Sequence, residues 1–297
     1  MRKVKIIADS CADLNAEQLR KYGIDYVKMS VFYDGEEHPA LTTWTNEEAH
    51  AFYERMRGGS RVTTAQVAIA EFEEVFGRYT EDGYDIVYIA CSSRQSGSVN
   101  TGMLVAAGIM ERCPECRICC VDSLNTSIGI GMLCMKAADL AAEGMGAEQI
   151  AEYINSIKNT VQEYATVHSL ESLRRAGRVS ASSAFFGNIL GVKPILVADA
   201  DGAQAAYKKV RGRQNSLKEI VALLKDSIPE DESRTVYIAH CDCSEAEISL
   251  LRDMVLSEIK CAKVEVGYIG PIVGGSVGPD AIGVWTFGNE VTFRAAK

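Results

Sequence analysis

The chain has 297 residues, enough for two domains that each bury a core of their own. Its 31 Lys and Arg stand against 40 Asp and Glu, and the net charge of −9 repels both a phosphate backbone and an anionic bilayer, so no nucleic acid partner is expected. No apolar run reaches the length of a membrane span and the N-terminal apolar stretch stops at Asp9, so neither stable membrane insertion nor a signal peptide is expected, and the chain reads as cytoplasmic.

In chain order, the apolar runs "VKIIAD", "DIVYIA" and "RICCVD" are short and continuous, as in strands buried on both faces. Helical patterns at "NAEQLRKYG", "NEEAHAFYERMR", "IAEFEEVFGRYT" and "VNTGMLVAAGIMERC" separate or follow them, which predicts a parallel-sheet α/β/α domain, Rossmann-like, over residues 1–160. Thr45 and Asn46 ahead of two glutamates suit a helix start, and Gly83 and Gly144 suit helix ends. From about residue 160 the pattern changes to strands of amphipathic character: "EYATVHS", "KPILVAD", "AQAAYKKV", "RTVYIAH", "AKVEVGYI" and "AIGVWTFG". "DADG" between two of them predicts a hairpin, and helices are expected at "SLKEIVALLKDSI" and "EAEISLLRDMVLSEI". Residues 161–297 are therefore expected to form an α+β domain.

In open parallel sheets ligands bind at the carboxyl ends of strands, which here are followed by "ADSCAD", "CSSRQSGS" and "VDSLNTS". The pairs Asp9–Ser10 and Asp122–Ser123 occupy equivalent positions, where an aspartate either accepts the N–H groups of its own turn or meets a ligand. Ser93 and Ser96 raise the possibility of a nucleophile, but "SRQSGS" is not G-x-S-x-G, and no histidine is tied to either serine: His168 and His240 end strands of the second domain. Ser96, Gly97 and the N–H groups of a starting helix suit an anion cradle, with a simple helix cap as the plainer reading. Thr63 and Thr64 are by default caps of the following acidic helix. Arg174, Arg175 and Arg178 around Gly177 are either a solvated basic loop or an anion or docking site.

Six glycines between Gly267 and Gly283 allow no G-x-G-x-x-G frame and are expected to form a loop lying close to a ligand or to the other domain. Cys113, Cys116 and Cys119 have metal-ligand spacing without a fourth partner nearby, Cys241 and Cys243 being far off in sequence; reduced, unligated thiols are the simpler reading.

Taken in order, "ADSCADL", "VTTAQ", "CSSRQSGS", "VDSLNTSIG", "LRRAGRVS", "GVKPIL", "KKVRGR" and "GPIVGGSVGPDAIG" resemble the DegV family of bacterial fatty-acid-binding proteins over nearly the whole chain. The resemblance implies two domains with a ligand cleft between them that buries a long-chain fatty acid. It implies that Thr64 and Ser96 hold the carboxylate, with Thr63, Ser93, Gly97, Arg178 and Ser276 supporting the site and no catalytic residue, metal or cofactor. It further implies a partner, a dihydroxyacetone-kinase-like fatty acid kinase that makes the acyl phosphate for phospholipid synthesis. Ala65, Ser98, Ser276 and Asp280 depart from the family's pattern, Ser276 standing where an imidazole is common. A serine-dependent acyl hydrolase and a module for another small anion are the competing readings.

Overall fold

A computed structural model describes residues 2–179 and 191–295. The chain runs β1 (Lys3–Asp9), α1 (Ala16–Tyr22), β2 (Asp25–Val27), β3 (Ser30–Tyr33), β4 (Glu36–Pro39), α2 (Asn46–Arg57), β5 (Thr63–Ala65), α3 (Ile69–Glu81), β6 (Tyr84–Ala90), α4 (Ser98–Arg112), β7 (Ile118–Asp122), α5 (Ile128–Ala142) and α6 (Ala147–Ile157). It continues through β8 (Val161–Thr166), α7 (Glu171–Ala176), β9 (Val192–Ala198), β10 (Gln204–Arg211), α8 (Arg213–Asp226), β11 (Thr235–His240), α9 (Glu245–Glu258), β12 (Lys263–Tyr268), α10 (Pro271–Val277) and β13 (Ile282–Phe287). Two compact units result: Met1–Trp44 with Thr64–Lys158 and Gly270–Ile272, and Thr45–Thr63 with Asn159–Ile269 and Val273–Lys297.

The first unit is built on a four-stranded parallel sheet of order β2-β1-β6-β7. Its three long strands are the continuous apolar runs of the sequence. In β6 every residue from Ile86 to Ala90 is buried, as a strand covered on both faces requires. Helices α3 and α4 pack on each other and on β6, α5 and α6 likewise. Phe72, Val75 and Phe76 of α3 fall at helical spacing and bury one face, with the Phe72 and Tyr88 rings 5.2 Å apart. A small sheet of order β4-β3-β5 accompanies the main one. Its hairpin turns at Asp34 and Gly35, both at positive φ, as the Asp-Gly pair of a type I′ turn demands.

Thr63 and Thr64 lie in this sheet as part of β5. They do not cap the acidic helix: α3 begins at Ile69, five residues after Thr64, behind Ala68 and with no side-chain cap. The physical reason is the "TAQVA" stretch, whose extended backbone separates the threonines from the helix by more than a cap can reach.

The second unit carries a six-stranded mixed sheet of order β10-β9-β8-β13-β11-β12. Leu217, Ile220, Val221 and Leu224 of α8 and Ile248, Leu251 and Val255 of α9 bury against Val236, Ile238, Ile282 and Val284 of the strands. The "DADG" hairpin is present, held by Asp199 Oδ1, which accepts the N–H groups of Asp201 (3.0 Å) and Ala203 (2.9 Å). Thr45 opens α2 with a reciprocal capping box to Glu48.

The glycine-rich segment corrects the expected loop, because Pro271–Val277 is helix α10. Its glycines serve close packing. A Cβ at Gly274 would stand 2.1 Å from the Tyr53 hydroxyl, which donates to Ile269 O at 2.5 Å in a fully buried position.

One buried carboxylate organises the first unit's strand ends. Asp9, with no exposed surface, accepts the Cys11 N–H (3.1 Å) on Oδ1 and the Cys91 N–H (2.8 Å) on Oδ2, with the Tyr88 hydroxyl at 3.4 Å. Burial pushes its pKa up to about 6, against the hydrogen bonds, which lower it.

Two predictions follow from this packing. Gly274→Ala should cost about 1–3 kcal/mol in urea unfolding, because the rigid, buried Tyr53 ring cannot give way. Asp9 binds its proton more tightly folded than unfolded, so its contribution is present in full below about pH 4 and is lost as pH rises through about 6. Asp9→Asn should therefore reduce the loss of stability between about pH 4 and about pH 7 by roughly 3 kcal/mol, even though the variant is less stable throughout.

Candidate functional site

Reading the parallel sheet in its order β2-β1-β6-β7, the chain moves outward from β1 to β2 and then returns to the other side of β1, so the direction of winding reverses between β1 and β6. Crevices form at such a switch point outside the carboxyl ends of the strands. The segments that leave β1 and β6 there are 10–15 and 91–97, and that of β7 is 123–127.

These three segments are tied to one another. Besides the Asp9 bridge from β1 to Cys91, Asp122 Oδ1 accepts the N–H groups of Ser93 and Leu124, each at 3.1 Å, and Ser92 N–H donates to Asn125 O at 3.0 Å. Both aspartates of the Asp-Ser pairs thus act on loop backbone. Their serines do the same: Ser10 Oγ accepts the Met29 N–H (3.0 Å) and Ser123 Oγ the Asn125 N–H (3.0 Å). Asp13 accepts from the Ser127 hydroxyl and from the Gly270 N–H (2.9 Å), and burial raises its pKa to about 7. Asp13, Leu124 and Ser127 all sit at positive φ, a strained conformation for each and a mark of functional surfaces.

The loop after β6 delivers Ser96 and Gly97 to the start of α4. Ser96 is half-buried and its Oγ accepts the Ser98 N–H at 3.2 Å, so it caps the helix one residue outside the usual position. Two hydrogen bonds hold the end of β5 against this helix start: Val67 N–H donates to Ser98 Oγ (3.2 Å), and Gln66 Nε2 donates to Thr101 Oγ1 (2.9 Å). A Cβ at Gly97 would meet Gln66 Oε1 at 2.0 Å, so only glycine lets the glutamine lie across this turn. Thr64, half-buried in β5, is thereby pinned three residues from the contact made to the segment that carries Ser96. Thr63 is exposed in the same strand.

The other expected site residues sit elsewhere. Ser93 is exposed, with its N–H on Asp122, and its loop is drawn toward the end of β7. In the second unit, Gly177 closes α7 at φ 66; Arg174 pairs with Glu171 (2.8 Å), and Arg178 is exposed, donating to Ala176 O at 2.5 Å. Ser180, which closes that motif, lies outside the described residues. Ser276 is half-buried in α10. Asp280 forms an ion pair with Arg57 at 2.6 Å, and Arg57 also meets Asp242 (2.6 Å), so the extra anion is compensated locally.

His168 Nδ1 stands 3.0 Å from Lys193 Nζ, while His240 accepts the Cys243 N–H (3.3 Å) and is lowered to about 4 by burial. Among the described residues the thiols of Cys113, Cys116 and Cys119 do not converge on one point, and burial raises Cys116 to about 11. The group that does converge is His50, Glu54 and Asp242, and the Arg57 guanidinium already binds both of its carboxylates. Gln66 stands inside "VTTAQ" and Ser98 inside "SGS", while Thr101 belongs to no motif, and the roles of all three emerge only from their contacts.

No helix among the described residues is long and apolar enough to cross a membrane. The family model described as "uncharacterised protein, DegV family" matches residues 3–288. A DegV domain-containing protein of Clostridium perfringens is 31% identical over 290 residues, covering 97% of this chain and 99% of its own. Among solved structures, a DegV lipid binding protein from Thermotoga maritima superposes with a TM-score of 0.85 at 25% identity, covering 98% of this chain and all of its own. A second Thermotoga maritima protein, whose structure is described as revealing a fatty acid binding function, gives a TM-score of 0.84 at 25% identity over 97% of this chain and 99% of its own. Matched from its first strand to its last by the family model, the chain belongs to the DegV family.

Proposed function

We propose that this protein binds a long-chain fatty acid and holds its carboxylate with the hydroxyls of Thr64 and Ser96. The observation that carries this reading is the pinning of β5 to the start of α4 through Val67–Ser98 and Gln66–Thr101, which fixes two hydroxyl-bearing segments at the switch point of a parallel sheet. Family membership over residues 3–288, and the fatty acid binding described for a relative of similar fold, supply the ligand class.

The energetics assign the two ends of such a ligand different tasks. About 14 buried methylenes at roughly 0.8 kcal/mol each contribute on the order of 11 kcal/mol, against about 4–15 kcal/mol lost on association. A hydroxyl donor to a carboxylate adds about 1.5–3 kcal/mol. The tail therefore supplies retention, and the head-group contacts supply orientation. In this reading the chain is a carrier without chemistry of its own. It presents the carboxylate to a separate dihydroxyacetone-kinase-like fatty acid kinase, which forms the acyl phosphate for phospholipid synthesis. Arg178, an exposed guanidinium after the α7 cap, is then a contact for an acidic surface of that kinase or a support for the carboxylate, with Ser276, Ser93, Thr63 and Gly97 as secondary elements of the site.

Organic extraction of the purified protein should release about one long-chain fatty acid per chain; only polar ligands, or none from several expression hosts, would refute the carrier reading. Thr64→Ala and Ser96→Ala should each weaken binding by about ten- to hundredfold without abolishing it. With the kinase present, Arg178→Ala should keep its fatty acid and lose acyl phosphate formation if the residue docks the partner. Normal acyl phosphate formation by Arg178→Ala would remove that role, and ester hydrolysis that disappears in Ser96→Ala would replace the carrier with an enzyme.

A further inference from the structure

Ser98 is fully buried, and its hydroxyl has one proton to place. Its oxygen accepts the Val67 N–H at 3.2 Å, and that donor can take nothing in return. Among the described residues the remaining partner of the hydroxyl is Ser96 Oγ, 3.0 Å away. If Ser96 donated to Ser98, the Ser98 proton would be left without an acceptor in a dry position, at the cost of a lost hydrogen bond. The proton of Ser98 therefore lies on Ser96 Oγ. That oxygen also accepts the Ser98 N–H at 3.2 Å, so both of its lone pairs are engaged. Ser96 has nothing left but its own O–H, and because Ser96 is half-buried where Ser98 is fully buried, that donor is the one presented to whatever enters.

We infer that Ser98 is a positioning residue that fixes the polarity of a hydroxyl chain, Val67 N–H to Ser98 O–H to Ser96 O–H, so that Ser96 acts only as a donor and the site selects an acceptor-only head group, a carboxylate, over a hydroxyl. The inference rests on the fatty acid reading and adds to it the source of head-group specificity. A threonine at this position keeps the same oxygen and proton, so the chain of donors does not depend on serine as such. Alanine removes both the acceptor for Val67 and the donor for Ser96, which frees the Ser96 hydroxyl to rotate and to accept as well as donate.

The test compares palmitate with the alcohol of equal chain length, and follows the pH titration of bound palmitate labelled at its carboxyl carbon by NMR. The wild-type protein should prefer the acid, and its bound carboxyl should titrate lower than in Ser98→Ala, because a donor aimed at the carboxylate favours the charged form. In Ser98→Ala the acid-over-alcohol preference should shrink by about tenfold, the effect of one well-aimed hydrogen bond to a charge, while alcohol affinity changes by less than about twofold. Ser98→Thr should restore both readouts. If Ser98→Ala does not fold, Ser98→Cys, a weak donor of similar shape, should show the same loss. An unchanged preference and titration in Ser98→Ala, or in Ser98→Cys where alanine does not fold, would overturn the inference while leaving fatty acid binding intact, as would a Ser98→Thr protein as impaired as alanine. A wild-type protein that binds neither palmitate nor the alcohol would overturn the fatty acid reading itself.

Discussion

A carboxylate with no access to water sits at the end of the first strand, and the architecture of the first unit's upper edge depends on it. Asp9 spans two loops that are 80 residues apart in sequence, taking one N–H from each through Cys11 and Cys91. Burying an uncompensated charge is costly, so the arrangement persists because those N–H groups face the carboxyl and offset the burial that raises its pKa. From Asp9 the order passes outward: to the loop after β6, through Asp122 to the loop after β7, and through Ser98 and Gln66 to β5.

The polar contacts at this edge mostly serve the protein's own backbone. Asp9, Ser10, Asp122 and Ser123 spend their acceptor capacity on loop N–H groups, whereas among the described residues the Ser96 and Thr64 segments carry hydroxyls with bonding capacity left over. That division fits a site that orients a charged head group and leaves retention to an apolar tail. It also explains why the strain at Asp13, Leu124 and Ser127 is tolerated: each lies beside a hydrogen-bonded clamp that over-determines the local backbone.

The main sheet was legible in the sequence because β1, β6 and β7 are unbroken apolar runs, and the second unit's strands because their periodicity changes after residue 160. The small sheet was not, since Ser30–Tyr33 and Thr63–Ala65 are too short to show an alternation and owe their conformation to tertiary pairing. Helix α5 was marked only at its end, by Gly144: its body is buried on nearly all sides from Ile128 to Leu140, so no polar face marks its period. Glycines concealed α10, because a residue that weakens an isolated helix is tolerated where Tyr53 needs the space. For the proposed site, Thr64 and Ser96 are implied by the resemblance that motif order carries. The roles of Gln66, Thr101 and Ser98 consist of contacts across 31 to 35 residues, which no local pattern records.

The bond from the Gly270 N–H to Asp13 joins residues 257 apart within the first unit. A ribosome adding about 5–20 residues per second needs on the order of tens of seconds to supply the second partner after the first has emerged. For that interval the nascent chain can pair β1 with β6 and β7 while Asp13 still lacks one of its donors. The Asp13 turn therefore reaches its final form only after Gly270 has emerged, and a truncated chain that stops before Gly270 carries the main sheet with an unfinished edge.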